Sequence, residues 1–219
     1  MVFCKEMITV IYYTSNREKS DFEAKIRADL LKKINGQPLI SVSQKPIDNF
    51  GQNICVGDVG ISDANIYQQL LIGCEEAKTD LIVTAESDCL YPAKGYFNFI
   101  PENIDYAYRN TNLFIWYSYR KAFKAKKYSL CAQISGRKYL IKALKRRLSR
   151  SKIKSWTTEP PTLHDIFWRG QGFSLFRSKQ AVINIKTGYG LRNITGTYGP
   201  RVYDLPSWGT YQEIKERVY

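Results

Sequence analysis

Alternation and spacing alone set out the first ninety residues as strand, helix, strand, loop, helix and strand. "MITVIYYTSN" is β-branched and aromatic, then turns small and polar. That predicts a buried strand over about 7–13 and a loop at Thr14, Ser15 and Asn16. In "SDFEAKIRADLLKKINGQP", Phe22, Ile26, Leu30 and Ile34 recur every four residues and share one helix face. Ser20 and Glu23 have capping-box spacing, and Gly36 and Pro38 stop the helix. "LISVS" follows as a second strand, and the β-α-β order predicts a parallel sheet in an α/β fold. After the glycine-rich "DNFGQNICVGDVGIS", Ser62 caps a helix whose Ile66, Leu70, Cys74 and Ala77 face the core. A strand over 80–85 comes next. Residues 104–134 read as antiparallel strands, "IDYAYR", "LFIWYSY" and "YSLCAQI". Ser135 then caps a helix with Leu140, Leu144 and Leu148 on one face. A Pro-rich, aromatic loop, a strand "AVINI" and a glycine-rich loop complete a chain with no internal repeat, read as one domain over 1–219.

Charge changes this picture more than composition does. The 219 residues are 44% hydrophobic and 24% charged, enough apolar content for a real core. No apolar run approaches the roughly 20 residues of a membrane span. "MVFCKEMITVIYY" reads as the lead-in to a strand, not a signal peptide. Cys4, Cys55, Cys74, Cys89 and Cys131 are scattered without a C-x-x-C pair, so reduced thiols and a cytoplasmic location are expected, in a host cell if the protein is viral. One histidine, His164, excludes a His-rich zinc site, and no P-loop or G-x-G-x-x-G is present. The net charge is +13, and it is not spread evenly. Fifteen of the 33 Lys and Arg residues lie between Tyr106 and Thr158, where there is no acid; elsewhere 18 basic residues face 20 acidic ones. Such asymmetry points to a polyanionic partner.

Candidate chemistry sits at "TDLIVTAESDCLYP". The apolar run Leu81–Ala85 ends in Glu86 and Asp88, just past the carboxyl end of a parallel strand, where ligands of open α/β sheets collect. Two carboxylates there suit Mg²⁺ or Mn²⁺, hard cations that prefer oxygen ligands. From these residues alone, a surface turn with two solvated acids is an equal reading.

The stretch resembles the GT-A nucleotide-sugar glycosyltransferases, especially the family-2-like branch. "TAESDCLYP" is similar to that family's D-x-D motif with Glu86 in the first acidic place, "YYTSN" to its nucleotide-binding loop, and "NIYQQLLIGCEEAKTDLIVTAESD" to its helix-then-strand approach to the metal. "AVINIKTGYGLRNITG" resembles a closing strand and loop, without the histidine often found there. The resemblance covers most of residues 7–100 and, more loosely, the tail. It implies a GT-A, Rossmann-like mixed sheet flanked by helices, with a basic helical and strand extension. Residues 1–100 would bind donor and metal, and 101–219 the acceptor. Asp88 would be the main ligand of Mn²⁺ or Mg²⁺, with Glu86 beside it; His164, read from its place in the loop, is either a third ligand or a hydrogen-bond partner of Asp165, and a structural role is the favoured reading. Thr14, Ser15 and Asn16 would hold the nucleobase or ribose of a UDP-sugar. Gly57 and Gly60 would admit its backbone approach, and Asn65 and Gln68 would line the sugar pocket; a tight turn and ordinary helix positions are the alternatives.

The resemblance further implies an inverting transfer, in which a carboxylate takes the acceptor's proton. Asp165, among Phe167, Trp168 and His164, is the first candidate and Glu159 the second; either also reads as a loop acid paired with a base. Lys138, Lys142, Lys145, Arg146, Arg147 and Arg150 form the expected nucleic-acid face. The favoured acceptor is a hydroxymethylated pyrimidine in DNA, as in phage-type DNA modification. The alternatives are a lipid-linked or surface glycan at an anionic membrane, a protein, or a nucleic-acid-binding module without catalysis.

Overall fold

A computed structural model of the chain describes residues 8–117, 121–150, 166–167, 172–188 and 197–219. The first half runs β1 (Ile8–Thr14), α1 (Ser20–Ile34), β2 (Leu39–Ser43), β3 (Gln52–Cys55), α2 (Asp63–Glu76) and β4 (Leu81–Glu86). β4, β1, β2 and β3 are neighbours in that order and all parallel. β1, β2 and all but the last residue of β4 are buried, as expected of parallel strands covered on both faces.

After β5 (Cys89–Leu90), the basic half supplies β6 (Ala107–Asn110), β7 (Leu113–Tyr117), β8 (Ala122–Lys126), β9 (Gln133–Gly136) and α3 (Arg137–Arg150). β10 (Ser174–Phe176), β11 (Val182–Lys186), β12 (Thr197–Val202), a hairpin of β13 (Asp204–Leu205) and β14 (Gly209–Thr210), and α4 (Tyr211–Val218) follow. The main sheet has seven strands in the order β10-β6-β9-β4-β1-β2-β3, mixed because β9 runs antiparallel to β4 and β6. The expected antiparallel meander over 104–134 is therefore divided. β6 and β9 pair in the main sheet, whereas β7 and β8 belong to a second sheet, β12-β8-β7-β11-β5. Residues 130–132, expected to be extended, form a 3-10 turn.

Helices cover both faces of the main sheet. On one face, Leu70, Cys74 and Ala77 pack with Leu140, Ala143, Leu144 and Leu148 of α3. On the other, Leu30 and Ile34 of α1 pack against Ile8, Val10 and Tyr12, while Phe22 and Ile26 meet Trp116, Phe123 and Ile183 of the second sheet and Ile214 of α4. No helix among the described residues is long and apolar enough to cross a membrane.

Two expected caps differ. Ser62 does cap α2, accepting from the Asn65 amide. α1, however, begins at Ser20 itself, with Lys19 in the capping position and no side-chain cap, so Ser20 and Glu23 form no capping box. Ser135 lies within β9, where its hydroxyl meets Gln133 Nε2 at 3.0 Å, and α3 begins only at Arg137.

Candidate functional site

Because β1 to β4 are parallel, the loops after them open on one edge of the sheet. Thr14 pairs with Ser43, and Tyr13 with Glu86. The loop after β1 is held from within. Buried Glu23 accepts from Thr14 Oγ1 at 3.0 Å, and from Asn16 Nδ2 and Arg27 Nη1 at 3.2 Å each. Burial pushes the Glu23 carboxyl above its usual range; the Thr14 hydrogen bond, Arg27 and Asn16 partly offset this. Asn16, at φ 52°, accepts with Oδ1 from the Gln44 and Lys45 amides at 2.9 Å, tying the β1 loop to the end of β2. Thr14 and Asn16 are thus committed to shaping the loop. Ser15, half-buried between them, makes no such bond among the described residues.

The α2 side is similar. Asn65 is buried and donates to Val59 O at 2.7 Å, so it braces the glycine-rich loop. Gln68 is half-buried on the outer part of α2. Gly57 and Gly60 have φ of 77° and 76°, a region where side chains are strained. A Cβ at Gly57 would meet nothing within 4 Å, so its backbone faces open space. Gln69, which sequence reasoning missed, is buried and donates to Thr14 O at 2.8 Å and Val42 O at 3.1 Å, fixing two strand ends from α2. Its only sequence signal was a polar side chain one position before the apolar Leu70.

At the end of β4 the carboxylates are already engaged. Tyr13 OH donates to Glu86 Oε1 at 2.5 Å. Burial, and then the neighbouring Asp88, push the Glu86 carboxyl up to about 7. Asp88 is held by β11. Asn184 Nδ2 donates to its Oδ1 at 2.8 Å, Lys186 Nζ lies 3.5 Å from its Oδ2, and the Ile185 amide donates to its backbone carbonyl at 2.7 Å. Next along the chain, Thr187 Oγ1 donates to Glu18 Oε1 at 2.7 Å, joining the closing strand to the β1 loop. Burial alone would lower the Lys186 pKa, but the Asp88 and Glu86 charges outweigh it and raise it. Lys126 of β8 adds a second positive field at Glu86.

These groups suit a hard divalent ion poorly. Glu86 gives one oxygen to Tyr13. Both Asp88 oxygens face a donor, one of them a cation. A softer cluster exists, since ligand atoms of Glu86, Cys89 and Cys131 lie within 4.8 Å of one another. Burial pushes the Cys89 thiol well above its usual range.

The proposed bases Asp165 and Glu159, and His164, lie outside the described residues. Of the basic-helix residues, Lys138, Lys142, Lys145 and Arg150 are exposed and Arg146 half-buried, but Arg147 is buried at 8% exposure and turns inward. Lys145 Nζ lies 2.7 Å from Glu75 Oε1 of α2. α3 starts at the far edge of the sheet, where the Arg137 amide donates to Asp80 O at 2.7 Å, so Lys138 lies away from Glu86 and Asp88.

No protein-family model and no curated protein sequence matches this chain. Among solved structures, it is similar to the inositol-1-phosphate CTP transferase from T. maritima, at TM-score 0.55 and 13% identity, over 85% of this chain and 92% of that one. It also matches, at TM-score 0.47 and 10% identity, a glycosyltransferase involved in glycosylation of the major capsid of PBCV-1, over 81% and 93% of the two chains. S. aureus TarS 1–349 matches at TM-score 0.43 and 10% identity, over 82% and 60%. The likeness to the CTP transferase is one of fold, a mixed α/β sheet flanked by helices.

Proposed function

We propose that this chain is an inverting glycosyltransferase, one domain that moves a sugar from a nucleotide-sugar donor, a UDP-sugar, to a hydroxyl acceptor. The observation that carries the reading is the pair Glu86 and Asp88 at the carboxyl end of β4, on the sheet edge that also bears the braced loops after β1 and β3. That edge is where an α/β sheet receives a nucleotide. Ser15 and the open backbone at Gly57 are the parts of that rim left for the donor. In the transfer, a carboxylate takes the proton of the acceptor hydroxyl, whose oxygen bonds to the anomeric carbon. The bond from that carbon to the phosphate oxygen breaks, and the nucleoside diphosphate leaves with the electron pair. Asp165 is the base we favour, with Glu159 next. Mn²⁺ or Mg²⁺ would have to bind at Asp88, and the ammonium beside it argues against that part of the expectation.

For the acceptor we favour a hydroxymethylated pyrimidine in duplex DNA. The support is the acid-free segment from Tyr106 to Thr158, with Lys142, Arg146 and Arg150 on the outer side of α3. A cytoplasmic setting goes with that acceptor.

The test incubates the protein with UDP-, GDP-, CDP- and dTDP-sugars and duplex DNA containing hydroxymethylcytosine or hydroxymethyluracil, then reads the bases by mass spectrometry. A base heavier by one sugar supports the whole reading. Transfer to a lipid-linked glycan or a protein but not to DNA removes the DNA acceptor and keeps the enzyme. DNA binding with no transfer or donor cleavage for any donor leaves a binding module and refutes the enzyme.

A further inference from the structure

The strand that closes the site ends in a cation. β11 is apolar except at Asn184 and Lys186, which alternate onto one face of the strand. Both reach Asp88, as Asn184 Nδ2 contacts Oδ1 and Lys186 Nζ approaches Oδ2. The Lys186 and Asp88 side chains are 25% and 17% exposed, so the pair is sheltered but reachable. At 3.5 Å the ammonium lies beyond the about 2.7–2.9 Å of a tight charge-assisted bond to Asp88. Among the described residues, Glu86 of β4 and Glu18 of the β1 loop also act on this cation, and Lys126 of β8 lies in the same field.

Departure of a nucleoside diphosphate places new negative charge on phosphate oxygen at this edge. A cation fixed there in advance stabilises that charge without reorganising. We infer that Lys186, positioned by Asp88 and Asn184, is the residue that meets the donor's diphosphate, and that it does so in place of a divalent metal. The inference rests on the nucleotide-sugar reading above. When the anomeric carbon–oxygen bond breaks, its electron pair passes to the phosphate oxygen facing the Lys186 ammonium, which keeps its proton. The acceptor's proton goes to the carboxylate base, so the step needs no further reactant. Asp88 acts as a positioning residue, holding the lysine instead of a metal ion.

The test is calorimetric binding of UDP, GDP, CDP and dTDP, and of the matching nucleosides, to the whole chain in excess EDTA. Wild type, Lys186→Met and Lys186→Arg are compared after thermal melts confirm that each is folded. One diphosphate should bind the wild type in EDTA. Lys186→Met should weaken it by roughly 10-fold or more, the range for a hydrogen bond to a charged group, while binding of the bare nucleoside is unchanged. Lys186→Arg should recover most of the loss. Adding Mn²⁺ should change the wild-type affinity by less than about 3-fold, well under one such bond. If a diphosphate binds only with Mn²⁺ or Mg²⁺ present, or if Lys186→Met binds it as the wild type does, the lysine is not the diphosphate's cation, although the donor reading stands. If no diphosphate binds with or without metal, the donor reading falls and takes this inference with it.

Discussion

Glu23 separates two accounts of the same four residues. Capping-box spacing makes Ser20 and Glu23 a reciprocal helix cap, in which Gln serves as well as Glu. On that account Glu23→Gln is nearly neutral, and Ser20→Ala costs about 1 kcal/mol. The structure instead turns Glu23 inward as the shared acceptor for Thr14, Asn16 and Arg27. Glu23→Ala leaves those donors without their acceptor. Removing one member of a buried ion pair costs about 3–5 kcal/mol. Arg27 is 22% exposed and recovers some hydration, so about 3 kcal/mol is expected. Glu23→Gln keeps one acceptor oxygen but turns an NH₂ toward Asn16 or Arg27, and should cost about 2 kcal/mol. Ser20 is exposed and caps nothing, so Ser20→Ala should stay within about 0.5 kcal/mol. Urea unfolding of the three variants measures all of this. A Glu23→Gln variant within about 0.5 kcal/mol of wild type, beside a Ser20→Ala variant about 1 kcal/mol less stable, would restore the capping box and refute the loop-acceptor argument.

Two further expectations concern the rest of the molecule. Leu144→Ala, at a fully buried position between α3 and α2, should lose about 2–5 kcal/mol in the same assay, whereas Lys142→Gln on the exposed side should lose under about 0.5 kcal/mol; equal losses would mean α3 is not packed as described. For Glu86, a carboxyl raised from 4.5 to about 7 makes the folded state hold a proton that the unfolded chain has lost, so its contribution is greatest below pH 4.5 and is lost as pH rises through 7. Relative to Glu86→Gln, the wild type should therefore become less stable by up to about 3 kcal/mol between roughly pH 4.5 and 8, and a difference that stays flat over that range would show that Glu86 titrates normally.

The sequence made legible whatever is local. Phe22, Ile26, Leu30 and Ile34 announce the inner face of α1 by spacing, and all four are buried. Leu81 to Ala85 running into Glu86 and Asp88 marks the carboxyl end of β4, where the strand meets the edge of the sheet. Glu23 was misread because the spacing of a cap is also the spacing at which a helix can reach back to the loop before it. Lys186 was missed for a different reason. The resemblance marks "AVINIK" as a closing strand, but nothing in its spacing shows that Lys186 meets a residue almost a hundred positions earlier, and the pairing of β11 with β5 and β7 is a property of the folded sheet. The division of β6 to β9 between two sheets was hidden likewise, since antiparallel alternation looks the same in either.

That distant pairing bears on the order in which the protein assembles. β1 to β4 with α1 and α2 lie within residues 8–86, and their parallel pairings join residues 12 apart for β2 with β3, 29 apart for β1 with β2 and 73 apart for β1 with β4. The contact of Asn184 with Asp88 closes a loop of 96 residues. Loop-closure entropy rises slowly with length, but non-local pairings of this kind still form late on the route to the native state. In stopped-flow refolding, a tryptophan in the second sheet, Trp116, should therefore reach its native signal after the far-ultraviolet signal of the first helices has appeared. During synthesis, a chain released before β11 has emerged would lack Asn184 and Lys186, the two side chains that meet Asp88 from that strand.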